Sequence, residues 1–315
     1  MSIKEFLTNK TNRGAEIAWN YIKSDVMREV EKEILLDRLK YVAYTNKEIG
    51  ISSECVADKE VVVSLSTHGK RLFESYLAIE TIMNGTILPN RIVLWLGEDM
   101  KNSPLPRTIQ GQIKRGLEVR YTEDIRAYTK LLPSLKAFPD SIIVTIDDDI
   151  LYPEDTLEQL LLAHTDCPSA ICANCVKRVT PNGTGALKSI LTWESLEKTE
   201  FGRRDYFFEG FGGVLYPPHC FSGEIMNKDI FWNICQYADD VWYNVIAYKE
   251  NIPVMKPSYH YGLFPYMEND SVPNSGLKVV NNNPNDCKND IQIRNVFDHY
   301  NLMDKLLSDC KEDIR

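Results

Sequence analysis

The stretch SIIVTIDDDI, residues 141–150, decides the fold expected for this chain. Its first six residues are mostly apolar and β-branched, which is typical of a buried strand. Three adjacent aspartates follow, Asp147, Asp148 and Asp149. Neighbouring carboxylates repel each other, so ionising all three costs free energy unless a cation compensates. The alternative interpretation is a solvated turn between a strand and a helix, with one aspartate capping the helix.

Strands and helices alternate on both sides of this stretch, which predicts an α/β fold with a mostly parallel sheet flanked by helices. The predicted strands are residues 60–66, 91–97, 117–124 and 141–150, and the predicted helical stretches are 72–85, 109–116, 129–138 and 152–164. Ligands in such sheets bind at the carboxyl ends of the strands. The segment THGKR, residues 67–71, and the three aspartates both lie at such ends.

The pattern changes after residue 165. SAICANCVKRV (169–179) and GGVLYPPHCF (212–221) are predicted to be strands, and residues 227–251 a helix with a charged interruption. Residues 15–45 have helical periodicity and precede the first strand, so they predict a helical appendage or an oligomer contact. We therefore expect three regions: a helical extension (1–55), one domain with a nucleotide half (56–165) and an acceptor half (166–265), and a tail packed on it (266–315).

Composition and charge limit the classes of function. Of 315 residues, 36 are basic and 45 acidic, so the net charge is −9. This balance disfavours broad binding to nucleic acid or acidic membranes, because both need a basic surface. No stretch has the roughly 20 apolar residues of a membrane helix, and the N-terminus lacks a signal-peptide pattern. We therefore expect a cytosolic protein in which the eight cysteines are reduced.

Two patterns suggest a metal ion. Cys172 and Cys175 form a CxxC, but no second pair has ligand spacing, so we interpret them as small buried residues. Asp147 and Asp149 would point the same way on an extended segment. Mg²⁺ or Mn²⁺ is typically held by one or two carboxylates together with substrate phosphates. The aspartate triplet therefore predicts a divalent cation, with room for a nucleotide diphosphate beside it.

VTIDDDILYP (144–153), preceded by KLLPSLKAFPDS (130–141), resembles bacterial nucleotide-sugar glycosyltransferases with the GT-A fold. In particular, it is similar to the family 2-like transferases of capsule and lipopolysaccharide loci. The resemblance extends, in order, to VVVSLSTHGKR (61–71), ILPNRIVLWLG (87–97), GFGGVLYPP (210–218) and ADDVWYNVIA (238–247). It implies a GT-A (Rossmann-like) fold, a UDP-sugar or another nucleoside-diphosphate sugar as donor, and Mn²⁺ or Mg²⁺ as cofactor.

The resemblance also implies roles for residues on the donor side. Asp147 and Asp149 would hold the metal, joined by His260. Nucleotide and donor binding would fall to these residues: Thr67, Arg71, Asp124, Lys130, Asp147, Asp148, Gly212 and Gly213. The alternative interpretations are a capping role for Thr67, solvated charges at Arg71 and Lys130, a strand bulge at the glycines, and packing for His260.

A second acidic site follows from the resemblance. Asp239 and Asp240 lie in an otherwise apolar helical pattern, where acids are either paired or functional. Asp240 would be the general base that takes a proton from the acceptor hydroxyl, with Asp239 beside it, whereas the alternative role for either is a helix cap. Trp193 and Glu209 would lie on the acceptor side. An acid at Asp240 favours inversion, although some retaining GT-A enzymes carry an acid at the same place.

The resulting hypothesis is a metal-dependent, hexosyltransferase-type glycosyltransferase. It would move the sugar to a hydroxyl of a glycan or lipid-linked glycan in surface polysaccharide synthesis, at the inner face of the membrane, with a homodimer as a further possibility. Two alternatives stay open: a non-catalytic nucleotide-sugar-binding relative, and a Mg²⁺-dependent phosphoryl-transfer enzyme with an aspartyl nucleophile. In the latter class the DxD motif normally follows the first strand, whereas here the triplet follows the fourth.

Overall fold

A computed structural model of the chain describes residues 26–197, 200–201, 205–257, 281, 283 and 286–312. The chain divides after Asn46 into two units. In the first unit, residues 26–45 form one helix, α1. The predicted helix over residues 15–45 is thus confirmed from residue 26 onward, and residues 15–25 lie outside the described part.

The second unit contains the alternating elements that the sequence predicts. Four strands are each followed by a helix: β1 (Val61–Ser66), α2 (Tyr76–Met83), β2 (Arg91–Gly97), α3 (Arg107–Ile113), β3 (Leu117–Thr122), α4 (Leu132–Ala137), β4 (Ile142–Thr145) and α5 (Thr156–Asp166). The strands are apolar and almost fully buried along β1, β2 and β4. Such continuous burial is expected of a parallel sheet covered by helices on both faces.

The later part of this unit has shorter elements. They are β5 (Ile171–Ala173), β6 (Val176–Arg178), β7 (Glu194–Ser195), β8 (Glu200–Phe201), β9 (Tyr206–Phe208), β10 (Val214–Tyr216), α6 (Lys228–Ile234), α7 (Asp239–Lys249), β11 (Val254–Lys256), α8 (Lys288–His299) and α9 (Met303–Glu312). Helices α8 and α9 belong to the region predicted as a tail, and the Tyr248 hydroxyl of α7 donates a hydrogen bond to Asp309 Oδ2 of α9 at 2.7 Å.

The main sheet has eight strands in the order β3-β2-β1-β4-β10-β5-β11-β8. Neighbours among β3, β2, β1 and β4 pair in parallel, as do β5 and β11, whereas β10 runs antiparallel to both β4 and β5. The predicted α/β class, with a mostly parallel sheet flanked by helices and a helical N-terminal appendage, is therefore confirmed. The carboxyl ends of β1 and β4 lie side by side, which brings Thr67 and the aspartate triplet to the same edge.

One predicted strand is wrong. SAICANCVKRV is not continuous: β5 belongs to the main sheet, while β6 belongs to a second sheet of order β7-β6-β9. The break falls at Asn174 and Cys175, where the Asn174 side chain donates to the Gly212 carbonyl at 2.9 Å. These contacts come from distant parts of the chain, so the local pattern could not predict them. Cys172 is buried and Cys175 is half-buried, and both are free thiols.

No helix within the described residues is both long enough and apolar enough to cross a membrane.

Candidate functional site

Two cavities lie at the carboxyl edge of the parallel strands. The first, called here the donor-side cavity, has a volume of about 350 Å³ and is lined by Ser66, Thr67, His68, Arg71, Gly97, Asp124, Arg126, Ala127, Thr129, Lys130, Asp147 and Asp148. The sequence-predicted nucleotide residues Thr67, Arg71, Asp124, Lys130, Asp147 and Asp148 are all in this wall. They follow β1, β3 and β4, whose carboxyl ends lie at this edge of the sheet.

The second, called here the base-side cavity, has a volume of about 330 Å³. Its wall contains the buried Asp239 and the half-buried Asp240 of α7, together with Glu209, Gly210 and Lys177. Lys130 and Asp147 line both cavities. A ligand bound in one cavity would therefore reach the boundary of the other at these two side chains.

Asp148 holds the loop after β1 against the turn after β4. It is buried, and its carboxylate accepts hydrogen bonds from the Thr67 hydroxyl and the Arg71 guanidinium. Arg71 also lies 2.7 Å from Asp149 Oδ2. Burial raises the pKa of Asp148, and the opposing effect of Arg71 and the Thr67 hydrogen bond is smaller. Asp148 is thus held by the protein, whereas Asp147 and Asp149 are the more accessible acids of the triplet.

The triplet does not continue the strand. β4 ends at Thr145, and Asp148 and Asp149 lie in a turn. The side chains of Asp147 and Asp149 contact different basic residues: Asp147 Oδ1 lies 2.7 Å from Lys130 Nζ, while Asp149 contacts Arg71. The alternation expected of an extended segment therefore does not describe this turn. The Tyr152 hydroxyl accepts a hydrogen bond from the Asp147 amide at 2.8 Å and fixes the turn from below.

Lys130 is the central cation of the site. Its ammonium donates to Asp147 Oδ1 at 2.7 Å and to the Gly210 carbonyl at 2.9 Å, and it lies 3.8 Å from Asp239 Oδ2. Burial disfavours the charged form, but Asp147 and Asp239 outweigh it, so the pKa of Lys130 is raised. The backbone of Lys130 is fixed as well, because the Ser64 hydroxyl of β1 donates to its carbonyl at 2.6 Å.

Asp239 and Asp240 occupy the first turn of α7. A helix N-terminus stabilises negative charge there, and the Val241 amide donates to Asp240 Oδ1 at 2.8 Å. The Asn244 side chain donates to the Asp240 and Phe208 carbonyls, each at 2.7 Å. These bonds hold the start of α7 against β9, the strand that leads into Glu209 and Gly210.

The pKa values of both acids of α7 are raised above the usual value of an aspartate. Burial, followed by the charges of Asp239 and Glu209, raises the pKa of Asp240 to about 7. Burial also raises the pKa of Asp239, although the Lys130 ammonium opposes this. A carboxylate whose pKa lies near neutrality is well matched to general-base chemistry at physiological pH.

Other predicted residues lie elsewhere. Gly212 and Gly213 adopt positive φ angles of 83° and 99° and form the turn into β10. Trp193 is buried in the core against Phe207, at a ring-centroid distance of 5.5 Å, and lines a different cavity. Glu209 lies in the base-side cavity, 3.0 Å from Lys177 Nζ. His260 lies outside the described residues.

Gly210, Arg126 and Lys177 are among the lining residues that were not singled out from the sequence. A Cβ built at Gly210 would lie 3.4 Å from both Asp240 Cβ and Lys130 Nζ. Arg126 has a left-handed backbone (φ 61°), and its guanidinium lies 4.5 Å from the ring centroid of Tyr237. The first glycine of GFGG was a usable signal, whereas nothing local marks Arg126 or Lys177.

The donor set suits a hard divalent cation only in part. Within the described residues, no group of three or more His, Cys, Asp or Glu side chains could hold a metal ion. Burial, and then the repulsion of Asp147 and Asp148, raises the pKa of Asp149 to about 7, against the effect of Arg71. A cation would relieve this repulsion, and Mg²⁺ or Mn²⁺ needs only one or two carboxylates when substrate phosphates supply the rest. Asp147 and Asp149, the more accessible acids of the triplet, are the carboxylates available for that arrangement.

No protein-family model matches the chain, and no curated protein sequence matches it. Among solved structures, it is similar to the mannosyltransferase PcManGT from Pyrobaculum calidifontis in complex with GDP-Man and Mn²⁺, with 17% identity and a TM-score of 0.41 over 74% of this chain. The match spans 64% of that enzyme, less than two thirds of its length.

Two further structures are similar over smaller or more divergent regions. One is the CMP:2-keto-3-deoxy-manno-octonic acid synthetase complexed with CTP, at 10% identity and a TM-score of 0.39, over 65% of this chain and 91% of that one. The other is the glucosyl-3-phosphoglycerate synthase from Mycobacterium tuberculosis in complex with Mn²⁺, UDP and phosphoglyceric acid, at 16% identity and a TM-score of 0.29, over 37% and 43% of the two chains.

Proposed function

We propose that this chain is a metal-dependent glycosyltransferase of the GT-A type. It transfers a sugar from a nucleoside-diphosphate sugar, with a UDP-sugar favoured, to a hydroxyl of a glycan or lipid-linked glycan, with inversion. The observation that carries the proposal is the shared wall of the two cavities. Lys130 and Asp147 separate a cavity lined by Thr67, Arg71 and Asp148 from one lined by the acids of α7.

We assign the two substrates to opposite sides of this wall. The donor nucleotide occupies the donor-side cavity, with its diphosphate toward Lys130 and Arg71. The acceptor enters the base-side cavity, where Asp240 faces its hydroxyl. The acceptor oxygen then forms a bond to the anomeric carbon, the bond from that carbon to the diphosphate breaks, and the hydroxyl proton passes to Asp240. The nucleoside diphosphate leaves with the bonding electron pair.

Cation binding completes the donor side of the proposal. Asp147 and Asp149 are the residues that would hold Mn²⁺ or Mg²⁺, and His260 is a further candidate from the sequence. When bound, the cation supplies Lewis-acid stabilisation of the negative charge that develops on the diphosphate. Lys130 adds a fixed positive charge on the same side, while Asp148 keeps Thr67 and Arg71 in place. Asp239 neutralises part of the Lys130 charge when the nucleotide is absent.

The wider setting is part of the same proposal. The nucleotide half (56–165) carries the donor residues and the acceptor half (166–265) carries Asp239 and Asp240, between the extension (1–55) and the tail (266–315). A role in capsule or lipopolysaccharide synthesis would place the protein in the cytoplasm at the inner face of the membrane, where lipid-linked acceptors are presented. The net charge of −9 would leave such a contact to a local patch.

Nucleotide binding tests the donor side directly. We expect one of UDP, GDP, CDP and dTDP to raise the melting temperature of the chain, and only when Mn²⁺ is present. A ligand at about 100 times its dissociation constant adds roughly 2.7 kcal/mol to the free energy of unfolding. The measurement is a thermal-shift series with each nucleotide, with and without Mn²⁺.

Two variants sharpen this test. Asp149→Ala should remove the Mn²⁺-dependent shift, whereas Asp140→Ala should keep it, because Asp140 is an exposed acid that pairs with His219. If none of the nucleotides shifts the wild-type chain, the proposed donor class is wrong. If a nucleotide binds but no sugar is transferred to any glycan acceptor, the chain is a non-catalytic nucleotide-sugar-binding protein.

The rate of transfer should depend on pH near neutrality. The pKa of Asp240 is raised to about 7, and a base works only when it is deprotonated. The turnover number should therefore rise with pH through about 7 and fall about tenfold for each unit below it. The measurement is turnover at saturating donor from pH 5.5 to 8.5. A flat profile across this range would contradict the assignment of Asp240 as the base.

A further inference from the structure

Helix α1 carries an exposed apolar stripe that the proposed function does not use. Its apolar members are separated alternately by three and four residues, the spacing of a coiled-coil seam, and Asp37 occupies the remaining position. All of them are 45–71% exposed: Met27, Val30, Ile34, Tyr41 and Tyr44. The stripe runs for 18 residues, about 27 Å of helix. Single exposed apolar residues are ordinary, but an aligned stripe is typical of a contact surface.

The opposite face of the same helix is already buried. Leu39 and Ala43 are 4% and 6% exposed, and they lie about half a turn away from the stripe. The exposed stripe is therefore a second apolar face. The buried face alone already accounts for the helical periodicity of residues 26–45.

The charges that flank the stripe are segregated along the helix. Glu31 and Glu33 border its first half, whereas Arg38 and Lys40 border its second half, and all four are exposed. In coiled coils, the positions beside the seam set partner choice and orientation. Glu31 and Arg38 lie on one side of the stripe, and Glu33 and Lys40 lie on the other. Within each side, an acidic residue of one helix meets a basic residue of its partner only if the two helices run antiparallel.

We propose that α1 pairs in antiparallel orientation with α1 of a second copy of this chain. In this register, Met27 faces Tyr44 of the second copy, Val30 faces its Tyr41, and Ile34 faces its Asp37. Each Glu31 then lies near Arg38 of the other copy.

Glu33 likewise lies near Lys40 of the other copy. A parallel pair would instead place the two Asp37 carboxylates opposite each other, which is unfavourable. In a parallel pair only Glu33 and Arg38 would meet, twice per dimer, whereas the antiparallel pair forms four contacts between opposite charges. The charges and the Asp37 repulsion therefore both favour the antiparallel pair.

The mass of the full chain in solution tests this pairing. Sedimentation equilibrium over a wide range of protein concentration should show a reversible transition from 36.2 kDa to about twice that mass. Ile34→Glu should raise the dissociation constant at least roughly tenfold, because it places a carboxylate in the seam. Leu162→Glu is the matched control: Leu162 is also exposed, at 55%, but lies on α5, so the dimer should persist.

A charge exchange tests the orientation. E31K and R38E should each weaken the dimer, because each places like charges together, whereas the double variant E31K/R38E should restore it. Parallel helices never bring positions 31 and 38 together, so restoration is specific to the antiparallel pair.

A wild-type chain that stays monomeric at all concentrations overturns the proposal. A dimer that is insensitive to Ile34→Glu also overturns it. Failure of the double variant to recover overturns the antiparallel arrangement.

Discussion

Replacing Asp240 with asparagine should lower the turnover number by roughly 10²–10⁴-fold, the usual contribution of a general base. Asparagine keeps the shape of the side chain and an oxygen that can accept the Val241 amide hydrogen bond, now 2.8 Å long. It cannot take up the proton of an acceptor hydroxyl. The start of α7 should therefore stay in place while proton transfer is lost.

The measurement compares turnover and nucleotide-induced stabilisation in the same preparations. Asp240→Asn should retain the Mn²⁺-dependent thermal shift, since the donor-side cavity does not include Asp240 among its lining residues. The matched control is Asp229→Asn, because Asp229 is an exposed acid in the first turn of the neighbouring helix α6. Near-wild-type turnover of Asp240→Asn would exclude Asp240 as the base, and loss of the thermal shift would give it a structural role instead.

Glu80→Ala should lower the free energy of unfolding by about 3–5 kcal/mol, because it leaves a buried arginine without its carboxylate. Glu80 is fully buried on α2, and its Oε1 lies 2.6 Å from Arg115 Nη1, which is 3% exposed. Gln112 donates to Glu80 Oε2 at 2.8 Å. The pair joins α2 to the turn after α3 beneath the parallel strands, so its loss should destabilise the part of the fold that carries these strands.

Urea unfolding of matched variants measures this effect. Glu118→Ala is the control, since Glu118 also binds arginines, Arg91 and Arg120, but all three side chains are 29–40% exposed. Such partly exposed pairs contribute about 0–1 kcal/mol. The double variant Glu80→Leu/Arg115→Met should recover part of the loss, because it removes both charges together. Equal losses for Glu80→Ala and Glu118→Ala would refute the buried ion pair as a source of stability.

The sequence allows the parallel half of the fold and several residues that line the donor-side cavity to be predicted, because both depend on short-range patterns. Apolar β-branched runs alternate with helical periodicity, and polar residues follow the strands at Thr67 and Asp147. Parallel strands then bring these residues to one edge without further information. The helix predicted over residues 227–251 is divided into α6 and α7, and this division, which the sequence did not predict, places Asp239 and Asp240 in a first turn.

The rest depends on contacts between residues far apart in the chain. The approach of the Gly210 carbonyl to Lys130 joins positions 80 residues apart, and no periodicity encodes it. The break at Asn174 depends on Gly212 and the turn into β10. Trp193 is a second example of a prediction that long-range contacts decide. A tryptophan side chain suits stacking on a sugar, but here it packs against Phe207 in the core.

Because β10 runs antiparallel to β4, only one of its two ends is expected to tolerate insertions. Val214 pairs with Thr145 and Tyr216 with Ile143, so the beginning of β10, rather than its end, lies beside the aspartate turn. Residues 209–213 therefore have to fit beside the aspartate turn and beside Asp240 at once. This requirement limits the length of the segment. Residues 217–221 leave β10 beside the amino end of β4, away from the aspartate turn. Insertions there would lengthen a surface segment without disturbing the boundary between the two cavities.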